Sequence, residues 1–293
     1  MSDYCEPENI EEIREIFGQG RVLRIVGSGT KVLARARSCS DEVVVSTRRL
    51  AGIVEWFPDD LVVTVRAGMR VSDLQEELVS RRQWLPIPFF DSKWKWVSAG
   101  MPGTVGGLVS TRLPTRWDFW THGVRYWVLG MKVVLANGFL LTCGSRAVKN
   151  VAGYDMHKLF TGAWGALGLI VEVTFRVFPR PKELDPYPER IILGSGVDSW
   201  GNEVSLVIGR TLPAELRGVV GRLESTEWVA DAMTGTFWAK VGNDLPGEVG
   251  WWMKRGVDGQ WFFSEFQNVV WMKRIKETFD PERKFSSPLR IDS

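Results

Sequence analysis

Cysteine and histidine are scarce in this chain. Its 293 residues include three cysteines, Cys5, Cys39 and Cys143, and two histidines, His122 and His157. The cysteines lie far apart with no CxxC pair, which argues against a disulfide framework, a zinc site and an iron–sulfur cluster. With so few histidines and no cluster of carboxylates, no metal site is expected.

Charge of one sign and long apolar runs are missing as well. Thirty-seven Lys and Arg balance 35 Asp and Glu for a net charge of +2, and the basic residues form no run, so no nucleic-acid partner is expected. No stretch approaches the roughly 18 apolar residues of a spanning helix, and the N-terminus is acidic where a signal peptide would be basic and then apolar. A cytoplasmic protein without a membrane span of its own is therefore predicted.

Tryptophan, in contrast, is abundant. The chain has 15, and six of them fall between Trp84 and Trp127. Core packing, a wall against an aromatic ligand and a protein interface would each use tryptophan in this way. The sequence leaves these three explanations open.

Apolar periodicity and turn residues predict an α+β fold. Helices are predicted over 10–17, from 72 to about 81, near 156–161, and before Phe279-Asp280-Pro281. Strands are predicted over 21–26, 42–46, 53–57, 61–66, 84–87, 130–136, 139–143, 169–178, 204–208 and 236–241. Ser72 and Gln75 have capping-box spacing, Asn137-Gly138 predicts a hairpin turn, and residues 93–114 read as a loop.

Three glycine-containing segments carry the functional signal. The first, Gly27-Ser28-Gly29-Thr30-Lys31, follows a predicted strand but has neither the Walker A spacing nor the glycine at position 32 that a dinucleotide fingerprint needs. It is either an anion-binding nest of backbone N–H groups or a plain hairpin turn. The second is Gly103-Thr104-Val105-Gly106-Gly107, whose backbone could approach a phosphate or a flat ring.

The third segment runs from Lys149 to Ile170 and contains four glycines. Each glycine in a regular element costs roughly 0.5–1 kcal/mol relative to alanine, so a close approach to this backbone is expected. Taken in order, the three segments resemble the FAD-binding domain of the vanillyl-alcohol oxidase and p-cresol methylhydroxylase superfamily. The run Val148-Lys149-Asn150-Val151-Ala152-Gly153-Tyr154-Asp155, with Lys158-Leu159-Phe160 and Gly165-Ala166-Leu167-Gly168, is similar to that of the FAD-binding subunits of glycolate oxidases.

The resemblance implies noncovalent FAD as the cofactor. Its pyrophosphate loop would be Gly27, Ser28, Gly29, Thr30 and Lys31. The loop that reaches the pyrophosphate and the flavin ring would be Pro102, Gly103, Thr104, Val105, Gly106 and Gly107, and the nucleotide half would meet Gly162, Gly165, Leu167, Gly168 and Ile170, with Asp155 nearby. The chain departs from the family pattern at 111–126, where Trp117 and Trp120 alter the flavin-facing surface.

The resemblance also implies oxidation of a 2-hydroxy acid, which needs a base and a cation for the carboxylate. His122 is the candidate base, and Arg125 or Lys149 the candidate cation. An ion pair between Lys149 and Asp155 that shapes the cofactor loop is the competing interpretation for those two residues. The competing interpretation of His122 is a surface or partly packed loop residue, and His157 is interpreted as a structural residue on the short helix after Asp155.

The implied organisation is a two-subdomain FAD-binding domain of the p-cresol methylhydroxylase type over 1–182, divided at about 92 and 93. A small, reduced cap would occupy 183–270, and a C-terminal helix and tail over 271–293 would return to the FAD domain. The family precedent implies a complex with a larger flavin subunit and an iron–sulfur subunit, associated with a membrane only through those partners. A stand-alone flavin oxidoreductase, a structural subunit with a vestigial FAD cleft and the FAD subunit of a molybdenum hydroxylase-type complex remain alternatives.

Overall fold

The computed structural model of the chain describes twelve stretches. They are residues 4–30, 42–87, 103–112, 123–145, 155–180, 192–193, 206–222, 228–232, 235–240, 251–255, 261–263 and 269–286. Mixed helices and sheets confirm the α+β class that the sequence predicts.

The helices, in chain order, are short apart from the first two and the last. They are α1 (Ile10–Gly18), α2 (Val71–Ser80), α3 (Val105–Thr111), α4 (Val124–Trp127), α5 (His157–Phe160), α6 (Leu216–Gly221) and α7 (Val269–Phe279). A single 3-10 turn, Pro213–Glu215, precedes α6.

The strands of the first 180 residues are β1 (Tyr4–Cys5), β2 (Val22–Val26), β3 (Glu42–Ser46), β4 (Ile53–Phe57), β5 (Val62–Arg66), β6 (Gln83–Trp84), β7 (Val128–Val134), β8 (Leu140–Gly144), β9 (Leu169–Arg176) and β10 (Phe178–Pro179). The later strands are β11 (Ile192–Leu193), β12 (Leu206–Arg210), β13 (Trp228–Asp231), β14 (Thr236–Lys240), β15 (Trp251–Arg255) and β16 (Trp261–Phe263).

The N-terminal sheet is parallel, in the order β1-β3-β2. Helix α1 covers it: the Asn9 side chain caps the helix by accepting the Glu12 N–H at 2.9 Å, and Ile13 and Phe17 are fully buried on the sheet side. Strand β2 then runs directly into the first glycine segment. The parallel sheet therefore fixes where Gly27–Thr30 begins.

The central sheet is antiparallel, in the order β4-β5-β9-β7-β8. Its apolar face packs with α2, α3 and α5 around one core, which includes Leu74, Val105, Trp127 and Phe160. Strand β5 precedes the expected division at residues 92 and 93, and its partner β9 follows it. The subdomain division stays a prediction.

The β7–β8 hairpin is confirmed, with a different turn from the one its sequence suggests. The Gly138 N–H donates to the Leu135 carbonyl at 2.8 Å, and Gly138 has φ +78°, whereas Asn137 has no positive φ. A two-residue type I′ turn needs positive φ at both central residues. The chain instead uses a three-residue turn in which only the glycine takes the left-handed conformation.

Two local predictions are wrong. Helix α2 begins after Arg70 rather than at Ser72, whose hydroxyl bonds to its neighbour Asp73. Gln75, expected to close a capping box, is buried and exchanges two hydrogen bonds with the backbone of Leu85 at 2.7 and 2.9 Å.

The second correction concerns residues 93–114, predicted as a loop, which contain helix α3. Thr104 caps this helix, and its hydroxyl oxygen accepts the Gly107 N–H at 3.2 Å. Two glycines in the first turn lower helix propensity enough to conceal it in the sequence. The helix forms because tertiary packing buries Val105, Leu108 and Val109.

The C-terminal sheet is antiparallel, in the order β11-β13-β14-β12-β15-β16, and helix α6 packs on it through Leu216, Val219 and Val220. Helix α7 lies elsewhere, against the central core through Ile275 and Phe279. After α7 the chain runs beside β2, where the Leu23 N–H donates to the Lys284 carbonyl at 2.6 Å and Phe285 bridges Leu23.

Candidate cofactor-binding site

The three glycine-containing segments converge on one open cleft, here called the glycine cleft. It is lined by Ile25, Val26, Gly27, Ser28, Gly29, Thr30, Thr104, Gly107, Ser110, Thr111 and Trp164. These residues come from the end of β2, from helix α3 with its cap, and from the turn after α5. Segments more than 130 positions apart in the chain therefore form a single surface.

The first two segments touch at Gly27 and Thr104. A β-carbon built on Gly27 would lie 2.1 Å from the Thr104 hydroxyl oxygen and 3.2 Å from its methyl carbon. Only glycine permits this approach. The contact places the loop after β2 directly against the cap of α3.

Helix α3 presents hydroxyls to the cleft. The N–H groups of Val105 and Gly106 already donate to the carbonyls of Met69 and Ala67, at 2.9 and 2.7 Å. Ser110 and Thr111 follow Gly107 by three and four residues and so lie on its face of the helix. The Thr111 hydroxyl donates to the Gly107 carbonyl at 2.7 Å.

Ser28 carries an unsatisfied hydroxyl in the wall of the cleft. Its Oγ is buried and has no hydrogen-bond partner among the described residues, while its carbonyl accepts from Arg48 at 3.1 Å. A buried hydroxyl without a partner costs about 1–3 kcal/mol, and an anionic oxygen in the cleft would satisfy it. The glycine backbone and this hydroxyl donor fit a pyrophosphate group.

The third segment closes the cleft through a strained turn. The Gly162 and Trp164 N–H groups donate to the Val109 and Ser110 carbonyls at 3.1 and 2.9 Å, which ties the turn to α3. Gly162, Trp164 and Gly165 have φ of +87°, +52° and +78°. Positive φ costs a tryptophan more than a glycine, so the fold holds the Trp164 backbone in an unfavourable conformation at the cleft wall.

Other predicted residues support the cleft from behind. The side chains of Val105, Leu167 and Ile170 are buried in the central core. A β-carbon on Gly168 would lie 2.6 Å from the Val133 side chain, and one on Gly106 would lie 3.0 Å from Ala67. Packing against the helix and the sheet therefore requires glycine at positions 106 and 168. Gly103 is held by a backbone hydrogen bond, since its carbonyl accepts the Val71 N–H at 3.0 Å.

Asp155 lies outside the residues that line the cleft. It is exposed and forms an ion pair with Lys158, one turn ahead on α5. The hydrogen bond from Lys158 lowers the pKa of Asp155 below its usual value, with smaller contributions from His157 and Arg125. The sequence predicts Lys149 as its partner; that residue, like Lys31, Pro102 and His122, lies outside the described residues.

His157 is only 3% exposed, and its Nδ1 has no hydrogen-bond partner among the described residues. Burial lowers the pKa of this imidazole; Asp155 opposes the shift, and Lys158 and Arg125 add to it. Arg125, the candidate carboxylate ligand, is half-buried on α4 and acts electrostatically on both residues. Arg125, Asp155 and His157 thus share one charged region.

Within the described residues, no group of three or more His, Cys, Asp or Glu side chains could hold a metal ion. None of the helices in the same stretches combines the length and apolar character that crossing a membrane requires.

Sequence reasoning missed Ser110, Thr111 and Trp164. The first two could have been found from the spacing of Gly107, Ser110 and Thr111 once residues 105–111 were recognised as a helix. Trp164 gave no separate signal, since its role depends on the backbone conformation between two glycines.

Comparison with known proteins agrees with this geometry. Residues 3–144 match the family described as FAD binding domain. The glycolate oxidase subunit GlcE of Escherichia coli is 31% identical over 175 residues, covering 59% of this chain and 47% of that protein. The D-2-hydroxyglutarate dehydrogenase of Stutzerimonas stutzeri is 31% identical over 183 residues, covering 61% and 38%.

The glycolate oxidase subunit GlcD of Bacillus subtilis is 27% identical over 216 residues, covering 72% of this chain and 43% of that protein. The chain thus spans less than half the length of these relatives. Among solved structures, an alkyldihydroxyacetonephosphate synthase superposes with a TM-score of 0.51 at 15% identity, over 77% of this chain and 38% of that one. That superposition shows a shared fold.

Proposed function

We propose that this chain is the FAD-binding subunit of a glycolate oxidase-like 2-hydroxy acid dehydrogenase complex, on the basis of the match of residues 3–144 to the family described as FAD binding domain. The observation that carries the proposal is the glycine cleft, where three distant segments converge around hydroxyl groups. The substrate class comes from the names of the relatives, which are glycolate oxidase subunits and a D-2-hydroxyglutarate dehydrogenase.

In this proposal FAD binds noncovalently, with its pyrophosphate at the loop Gly27–Thr30 and the cap of α3. A pyrophosphate is best held by converging N–H dipoles and hydroxyl donors, and the Ser28 hydroxyl lacks any other partner among the described residues. Gly107, Ser110 and Thr111 of α3 line the cleft, as does Trp164 from the Gly162–Gly165 turn. Lys31 and Pro102 extend the two loops.

Bound FAD supplies the hydride acceptor for oxidation of a 2-hydroxy acid. The chain's own residues would hold the substrate and take up its hydroxyl proton. Arg125 is the cation proposed to bind the carboxylate, since it is half-buried and its field reaches Asp155 and His157. His122 as base and Lys149 as a second cation complete the proposal from the sequence.

A complex is proposed because electrons must leave the flavin. The sequence has no CxxC motif, so an iron–sulfur subunit and a larger flavin subunit are the proposed partners, with any membrane association through them. Residues 1–182 would form the FAD-binding unit, 183–270 a reduced cap, and 271–293 the returning helix and tail. The six-stranded sheet, all of whose strands lie within 192–263, supports the cap assignment.

The test is an equilibrium titration of the purified chain with FAD, in which the quenching of flavin fluorescence reports binding. Titrations with FMN and riboflavin serve as controls, because they lack the pyrophosphate that the cleft is proposed to hold. We expect FAD to bind and remain bound through gel filtration, with FMN and riboflavin much weaker. Absence of FAD binding by a folded chain would reject the proposal and favour a structural subunit with a vestigial cleft.

A further inference from the structure

The Lys276 ammonium group is buried in the fold, with only 3% of its side chain exposed. It lies on α7 and makes three polar contacts. It donates to the Ala166 carbonyl at 2.8 Å and the Phe285 carbonyl at 2.8 Å, and it forms an ion pair with the Asp280 carboxylate. All three N–H bonds of the ammonium group are therefore used.

Asp280 completes the arrangement from the other side. It is fully buried, and its two carboxylate oxygens accept the N–H groups of Lys284 and Phe285 at 2.8 and 2.9 Å. Removing two charges from water costs several kcal/mol per ion, so a buried pair contributes little net stability compared with apolar side chains of the same volume. The pair instead specifies geometry, since each acceptor must lie at a defined point around one nitrogen.

Neither carbonyl acceptor lines the glycine cleft, but each lies next to a segment that does. Ala166 directly follows the Trp164–Gly165 turn, and a β-carbon on Gly165 would lie 3.5 Å from Ile25. Phe285 belongs to the tail that runs beside β2, where the Ser286 N–H donates to the Leu23 carbonyl at 2.9 Å. Strand β2 leads directly into Gly27.

We propose that Lys276 is a positioning residue for the cofactor, which sets the spacing between the Gly27–Thr30 loop and the Trp164–Gly165 turn from behind the cleft. This inference rests on the proposed function. It predicts that the affinity for FAD depends on an ammonium group that lines no part of the cleft, because this group holds α7 and the tail in position.

The test compares Lys276→Met with the double variant Lys276→Met/Asp280→Asn. The single variant keeps the side-chain volume but leaves the Asp280 charge buried without its partner, so it loses both stability and FAD affinity. The double variant removes that charge and keeps an oxygen for the Lys284 N–H. Because the Ala166 and Phe285 carbonyls still lose their donor, we expect its thermal midpoint to recover only part of the loss seen in the single variant, while its FAD dissociation constant stays raised by about tenfold.

Lys132→Met is the matched control, because it breaks the partly exposed Lys132–Glu172 pair of the central sheet, whose Nζ–Oε2 distance is 2.8 Å, without touching α7, the tail or Ala166. Its FAD affinity should not change. A double variant with unchanged FAD affinity would overturn the positioning role, as would a control that weakens FAD binding equally.

Amide hydrogen exchange of the cofactor-free protein provides a readout that does not depend on FAD. In the double variant, exchange should rise in 163–166 and 22–27 and stay unchanged in β7 and β8. If the unmodified chain binds no FAD, the proposed function fails, and exchange alone decides the positioning role. Unchanged exchange in both wall segments would then refute it.

Discussion

Gly27 and Thr104 approach so closely that the Thr104 hydroxyl oxygen occupies the space of a side chain on Gly27, 2.1 Å from where its β-carbon would lie. The same hydroxyl caps α3 through the Gly107 N–H. The Thr104 side chain thus caps the helix and also positions the loop after β2. The cleft depends on this contact because two of the segments that line it meet there.

Gly27→Ala should therefore disrupt the cleft. The added methyl group forces Thr104 away from its capping position or displaces the loop, and overpacking of this kind costs about 1–3 kcal/mol. We expect a lower free energy of unfolding in urea and a loss of FAD binding. Gly18→Ala is the control, since nothing lies within 4 Å of its β-carbon at the end of α1, and it should leave FAD affinity unchanged.

Thr104→Ala offers a rescue of the first variant. It removes the Thr104 hydroxyl oxygen, which would crowd the new methyl group most, and the methyl carbon at 3.2 Å. The change also removes the N-cap, which is typically worth about 1 kcal/mol. In a double-mutant cycle, Gly27→Ala/Thr104→Ala should be more stable than the sum of the two single changes predicts. Strict additivity would show that the two residues do not interact as the structure indicates.

Ser28→Ala should separate stability from cofactor binding. Because the Ser28 hydroxyl is buried without a partner among the described residues, its removal should leave the cofactor-free protein equally stable or stabilise it by about 1 kcal/mol. FAD affinity should fall by about tenfold or more, the effect of losing a hydrogen bond to a charged oxygen. Isothermal titration and urea unfolding measure the two effects.

Ser80→Ala is the matched change at the end of α2, where the exposed hydroxyl donates to the Glu77 carbonyl at 2.6 Å. It should not alter FAD affinity. A loss of stability in Ser28→Ala without any change in FAD affinity would contradict the assignment of this hydroxyl to the cofactor.

Local signals predicted much of the fold. Helix α1, strands β2 and β3, the strands of the central sheet and the β7–β8 hairpin follow from apolar periodicity and turn residues, whereas strand β1 was not predicted. The start of α2 and the existence of α3 do not follow from such signals. Packing stabilises Val105–Thr111 as a helix despite Gly106 and Gly107, and Arg70 precedes α2 without any side-chain cap.

The site was predictable to the extent that glycine marks a close approach of backbone. The contact between Gly27 and Thr104 gives that signal its physical cause. Gly168 carries the same signal for a different reason, the packing of β7. The link from Lys276 to Ala166 spans 110 positions, and no spacing rule in the sequence could have indicated it.

His157 should make stability depend on pH. Burial lowers the pKa of His157 in the folded protein below the ordinary value of 6.5. Between the folded pKa and pH 6.5 the imidazole is therefore protonated in the unfolded chain but neutral in the folded one. The contribution of neutral His157 to the free energy of unfolding is fully present above pH 6.5. It is lost as the pH falls from 6.5 toward the folded pKa, by at most about 1.4 kcal/mol per pH unit. Urea unfolding between pH 8 and about pH 5 should show this slope, and His157→Gln should flatten it.

Asp155 acts in a separate window. Its pKa is lowered from 3.8 by Lys158, so its contribution to the free energy of unfolding is present above pH 3.8 and is lost only as the pH falls through the folded pKa.

The pKa of His157 can be followed directly by proton NMR, since the chain has only one other histidine. An imidazole that titrates at or above 6.5 in the folded protein would contradict the predicted slope.

Cys143 should be chemically inert in the folded protein. Burial on β8 raises the pKa of its thiol to about 11, and this shift is partly offset by a backbone hydrogen bond with Met131. At pH 8 a thiol with this pKa is ionised about 100-fold less than an ordinary cysteine, and only the thiolate reacts. In Cys5→Ser/Cys39→Ser, a disulfide-exchange reagent should therefore label Cys143 slowly under native conditions and rapidly in denaturant.

The matched variant Cys39→Ser/Cys143→Ser keeps the half-buried Cys5, which should react readily without denaturant. Equal native rates for the two variants would show that the β8 strand opens on the time scale of the reaction.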